Sequence, residues 1–183
     1  MVTVEGLPNF FRYMNAHYAH WVLVGGCAAW MHLARANRDM TQDPEVYKRI
    51  FPDDIDVLIV GDKIDDVEVT VGTRGPLKVE FAKNYVDDAT IQMSNTAVII
   101  SEGRVLPAKD IIIKYKTGTS KKANVRSTRV YMLTEMLNDR EISPSLAMAQ
   151  YNAPPQLSGI ASAAAAFAAR RQQNAAAAAL LPQ

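Results

Sequence analysis

The apolar segment Trp21–Val24 runs directly into Gly25 and Gly26, and this junction constrains the chain more than any other feature. A short run of Trp, Val and Leu ending at a turn signal predicts a buried strand. Two glycines let the backbone turn tightly, and the alanine-rich residues 27–35 then continue as a helix. A strand that turns straight into a helix exposes the first helical amides at the end of a sheet. Further along, FPDDIDVLIV (residues 51–60) predicts a second strand, apolar and β-branched over residues 55–60 and opening on Asp54 and Asp56.

Side chains two apart on a strand share a face, so Asp54 and Asp56 project together while Ile55 and Val57 face the other way. Two neighbouring carboxylates repel, and burying them uncompensated is costly. A hard divalent cation such as Mg2+ relieves that conflict, since it takes oxygen ligands from one or two carboxylates and from substrate phosphates. Glu80, in the alternating segment LKVEFAK, is the candidate third ligand from a neighbouring strand. The same residues also admit plainer roles. Asp53 and Asp54 can cap a turn before the strand. Glu80 can be an exposed strand residue paired with Lys78 or Lys83. Gly25 and Gly26 can bring an anion to a helix N-terminus, or they can serve close packing of helix on strand. Cys27 follows them where a hydroxyl would be a better phosphate donor.

The remaining pattern predicts helices at residues 7–18, 107–115 and 126–137, the last with a stripe of Val130, Leu133, Met136 and Leu137. Residues 37–51 read as a loop with a helical turn near its end. Residues 67–71 and 77–81 alternate and flank a Gly72–Gly75 turn, which predicts a hairpin. Residues 91–93 and 97–100 are expected as one or two more strands, and 117–124 as a loop. Past Asp139 the composition changes. Pro144, Pro154 and Pro155 break up the chain, and residues 158–181 are mostly alanine. The division is therefore a folded domain over 1–140 and a Pro-interrupted, Ala-rich tail over 141–183. The tail reads either as a frayed helix or as an arm that docks on a protein partner. His17, His20 and His32 lack zinc-ligand spacing with Cys27, and the methionines read as core filler.

Charge separates the chain into two halves. Seven acids lie between Pro52 and Glu68, opposed only by Lys63; seven bases lie between Lys109 and Arg129, opposed only by Asp110. Such a pair of runs either faces solvent or sets cation-binding and phosphate-binding walls against each other. The net charge of +1 gives no overall field for DNA or a membrane surface. No apolar run approaches the roughly 20 residues that span a bilayer. One cysteine and no signal-like N-terminus lead to an expectation of a cytoplasmic protein, or of host cytoplasm or a virion if its source is viral.

Taken in order, these elements resemble the polymerase-beta-like nucleotidyltransferase superfamily, and in particular the small nucleotidyltransferases of toxin–antitoxin and abortive-infection systems. VGGCAAWMHLA is similar to their glycine turn and first helix, DDIDVLIV to their metal strand, KVEFA to the strand with the third carboxylate, and LPAKDIIIKYK to the helix carrying a nucleotide-binding lysine. The resemblance covers roughly residues 10–137. It implies an α+β fold with a small mixed β-sheet flanked by helices. It also implies that Gly25, Gly26 and Lys114, helped by Lys109 or Lys121, bind the phosphates of a nucleoside triphosphate, ATP being the expected one. Asp54, Asp56 and Glu80 would be catalytic and hold Mg2+, with transfer to a hydroxyl of RNA, protein or a small molecule. Inactive copies of such folds with structural or assembly duties are the alternative.

Overall fold

The computed structural model describes residues 1–36, 44–118, 122–154 and Arg171. Lys121 and nearly all of the alanine-rich tail lie outside the described residues. The fold is α+β: one seven-stranded mixed sheet flanked by helices. The elements are β1 (Val2–Glu5), α1 (Leu7–His17), β2 (Trp21–Val24), α2 (Gly25–Ala36), α3 (Pro44–Ile50), β3 (Asp54–Ile59), β4 (Val67–Thr70), β5 (Pro76–Ala82), α4 (Asp87–Asn95), β6 (Val98–Ile100), β7 (Gly103–Val105), α5 (Ala108–Thr117), α6 (Ala123–Leu137) and α7 (Pro144–Asn152). The strands lie in the order β1-β4-β5-β3-β2-β7-β6.

Register explains the two faces of the sheet. Leu23 lies opposite Val57, and Val57 opposite Phe81. Directly paired residues share a face. This face carries Trp21, Leu23, Ile55, Val57 and Ile59, all buried. Helix α1 covers it: Phe10, Phe11 and Met14 are fully buried, and the Phe11 ring stacks on Trp21 at 6.0 Å between centroids. The other face carries Val24, Asp56 and Glu80 in one row, since Val24 pairs with Asp56 and Asp56 with Glu80.

Four elements depart from the sequence expectations. Residues 91–93 belong to α4, not to a strand. The buried residues of α4 are Thr90 and Ser94, which meet Asn84 and Arg104, so its inward side is polar and carries no apolar period. Strands β1 and β7 were not anticipated. A two-residue loop joins β6 to β7, with Ser101 at φ 48 and Glu102 at φ 69, the backbone that a tight hairpin needs. Asn15 donates to the Glu102 carbonyl and Arg12 pairs with its carboxylate, which ties this loop to α1. Finally, α6 buries Thr128, Arg129, Met132 and Leu133, and Leu137 is exposed.

Helix α7 starts at a Ser143 cap that accepts from the Leu146 amide, and Pro144 suits its first turn. It packs on α6 and buries Ala147, so the compact body continues past residue 140. Among the described residues no helix is long and apolar enough to cross a membrane.

Gly103 is the tightest joint between α1 and the sheet. A Cβ there would lie 2.7 Å from two ring atoms of the buried Phe11. Gly103→Ala should therefore destabilise the fold by about 1–3 kcal/mol, read from the denaturation midpoint, and Phe11→Leu in the same chain should recover part of the loss.

Candidate metal centre

Strand pairing builds the acidic cluster. Asp54 and Asp56 project from one face of β3, and the parallel pairing of β3 with β5 sets Glu80 directly beside Asp56. One carboxylate oxygen from each of the three lies within 4.8 Å of the others, a group that can hold a metal ion. Asp54 and Asp56 are half-buried and Glu80 is exposed. The ion-paired lysines nearby take other acids. Asp53, not Asp54, takes the basic partner at the strand's start, in a short contact with Lys122. Lys83 pairs with Asp62 at 2.6 Å rather than with Glu80.

Asp56 carries the electrostatic signature of the cluster. Its pKa is pushed up to about 6, first by burial and then by the charges of Asp54 and Glu80; Lys114 and Lys122 pull it the other way. The site therefore has more negative charge than its surroundings neutralise. A bound cation would supply the missing charge, and an all-oxygen donor set fits a hard divalent ion.

The glycine turn sits against these acids. Gly25 follows β2 and opens α2 in the left-handed region, φ +67, which favours glycine. A Cβ at Gly25 would come within 2.5 Å of Asp56 Oδ2, so the missing side chain makes room for the carboxylate. Gly26 has a different reason. Its Cβ would meet the Arg129 guanidinium at 2.7 Å, which is close internal packing. Cys27 is fully buried, and burial, with Asp56 next, pushes its thiol up to about 12.

Basic groups stand opposite. Lys114, on α5, lines a cleft of about 280 Å³ together with Gly25, Asp56, Tyr115 and Arg126. Lys109 is exposed and does not line that cleft, so Arg126 takes the supporting position expected of it. Arg126 lies over the Tyr115 ring at 5.2 Å. Arg129 is buried, and its hydrogen-bond partners are neutral. It donates twice to the Ile50 carbonyl, at 2.7 and 3.1 Å, and once to the Tyr115 hydroxyl at 3.2 Å. Its charge adds to the positive N-terminal end of α2, and both favour an anion at the turn. In the sequence Arg126 and Arg129 stand out only as members of a basic run. Their spacing on α6 beside Tyr115 was a usable signal, but the contact itself depends on how α5 and α6 pack.

No family model matches the chain, and no curated protein or solved structure matches it.

The pH dependence of Asp56 is testable. Its folded pKa lies above the ordinary carboxylate value, so the unfolded chain releases this proton first as pH rises. Stability is lost between about pH 4 and 6 and stays lost above that. In a metal-free buffer, Asp56→Asn should be more stable than the wild type at pH 7.5 by about 1 kcal/mol, discounted for the half-exposed site, and the difference should close below about pH 4. Thermal melts across that range check the sign.

Proposed function

We propose that the chain is a nucleotidyltransferase of the polymerase-beta-like kind, moving a nucleoside monophosphate from a nucleoside triphosphate to an acceptor hydroxyl. The observation that carries this reading is the meeting of Asp54, Asp56 and Glu80 beside the Gly25 turn, with Asp56 lining the same cleft as Lys114 and Arg126. An acidic cluster that reaches, through Asp56, into a cleft with two cations suits a metal-bound polyphosphate better than either component alone.

Asp54, Asp56 and Glu80 would hold Mg2+, which when bound stabilises the attacking and leaving oxygens of an in-line displacement. The amides at the start of α2 lack intrahelical partners and would cradle phosphate oxygens. Lys114 and Arg126 would offset charge on the β and γ phosphates. Glu80, the most exposed of the three acids, would accept the proton of the incoming hydroxyl. The new bond joins the acceptor oxygen to the α-phosphorus. The bond from that phosphorus to the bridging oxygen breaks, and pyrophosphate leaves.

The assay is transfer of label from α-labelled ATP in the presence of Mg2+. Asp54→Ala with Asp56→Ala should fold, with a melting temperature equal to or above that of the metal-free wild type, because repulsion is relieved. It should show no transfer. Label transfer by the double variant at the wild-type rate would remove these residues from the chemistry.

A further inference from the structure

A second cavity, of about 630 Å³, opens from the same cleft and shares Val24, Leu58, Leu106 and Lys114 with it. Its volume falls within the roughly 300–1,000 Å³ of small-ligand sites. It lies between α4 and α5, and its chemistry differs from that of the acidic end. The floor is Val24, Leu58 and Leu106, and the walls add Ala89, Met93 and Ile113. Ile113 is 59% exposed, a large apolar side chain with little covering it. Asn84, Gln92 and Thr96 supply neutral hydrogen-bonding groups. The Asn84 amide nitrogen already donates to Thr90 Oγ1 at 2.7 Å, and its carbonyl oxygen remains as an acceptor. Among the described residues, Asp110 and Lys114 are the charged residues lining it, and they have opposite signs.

We infer that this cavity receives the nucleoside end of the triphosphate. The inference rests on the nucleotidyl-transfer reading and extends it from the phosphates to the base and sugar. A flat heteroaromatic ring with a hydrogen-bonding edge matches an apolar floor with a rim of amides and a hydroxyl. A polyanionic acceptor such as an RNA strand does not, because the described lining residues carry no excess positive charge. Lys114 stands where the two chambers join, on the path between phosphates and nucleoside.

The test compares two probes, ATP and inorganic tripolyphosphate, each with Mg2+, by calorimetry or thermal shift. The wild type should bind ATP more tightly than tripolyphosphate. Ala89→Trp and Gln92→Trp place bulk in the cavity from exposed positions on α4, where the fold tolerates it. Both should weaken ATP by about tenfold or more and leave tripolyphosphate unchanged. Unchanged ATP affinity in both variants overturns the inference, and if transfer is lost as well, the cavity belongs to the acceptor. A wild type that binds tripolyphosphate and ATP equally overturns the nucleoside pocket while sparing the phosphate site. One that binds neither overturns both.

Discussion

Parallel pairing of β3 with β5 fixes Asp56 beside Glu80, and antiparallel pairing of β3 with β2 fixes Asp56 beside the last residue before the glycine turn. A slip of one residue between β3 and β5 would put Glu80 and the two aspartates on opposite faces. Fully buried Ile55 and Val57 hold the register, since they cannot be exposed without losing core. The same packing that stabilises the sheet therefore compels three carboxylates to stay together. Asp56 shows the cost in its raised pKa. The site is a place where the fold works against local electrostatics, as functional sites commonly do.

The positive groups around it are arranged by distance from solvent. Arg129 is buried and holds the C-terminal carbonyl of α3 together with Tyr115 of α5, so one guanidinium joins three helices behind the glycine turn. Arg126 and Lys114 line the open cleft in front. Lys122 meets Asp53 outside the cluster. Acid and base are thus close enough to shape one field, yet the three clustered acids are left without direct ion pairs among the described residues.

Much of this was legible in the sequence because it depends on short spacings. A β-branched run, a diglycine after a buried strand and two aspartates two residues apart each express strand or turn geometry directly. The third carboxylate was accessible for the same reason, since Val79 and Phe81 fix the face that Glu80 avoids. What escaped depends on contacts distant in sequence. Strand β7 rests on pairing with β2 and β6, and its tight turn uses Ser101 and Glu102 rather than the glycines that advertise such turns. Helix α4 hides behind a polar buried side, and α6 buries an arginine where an apolar stripe was expected. The cavity between α4 and α5 could not be read at all, because one of its walls was assigned to a strand.

The central claim is that Asp54, Asp56 and Glu80 form one cation site facing Gly25. Paramagnetic broadening by Mn2+ in an amide-resolved NMR spectrum tests it most directly. At substoichiometric Mn2+, the resonances of Gly25, Asp54, Asp56 and Glu80 should broaden first and recover when excess Mg2+ is added. Broadening that begins instead at the exposed acids Asp62, Asp65 and Asp66, with the Gly25 and Asp56 signals intact, would contradict the account.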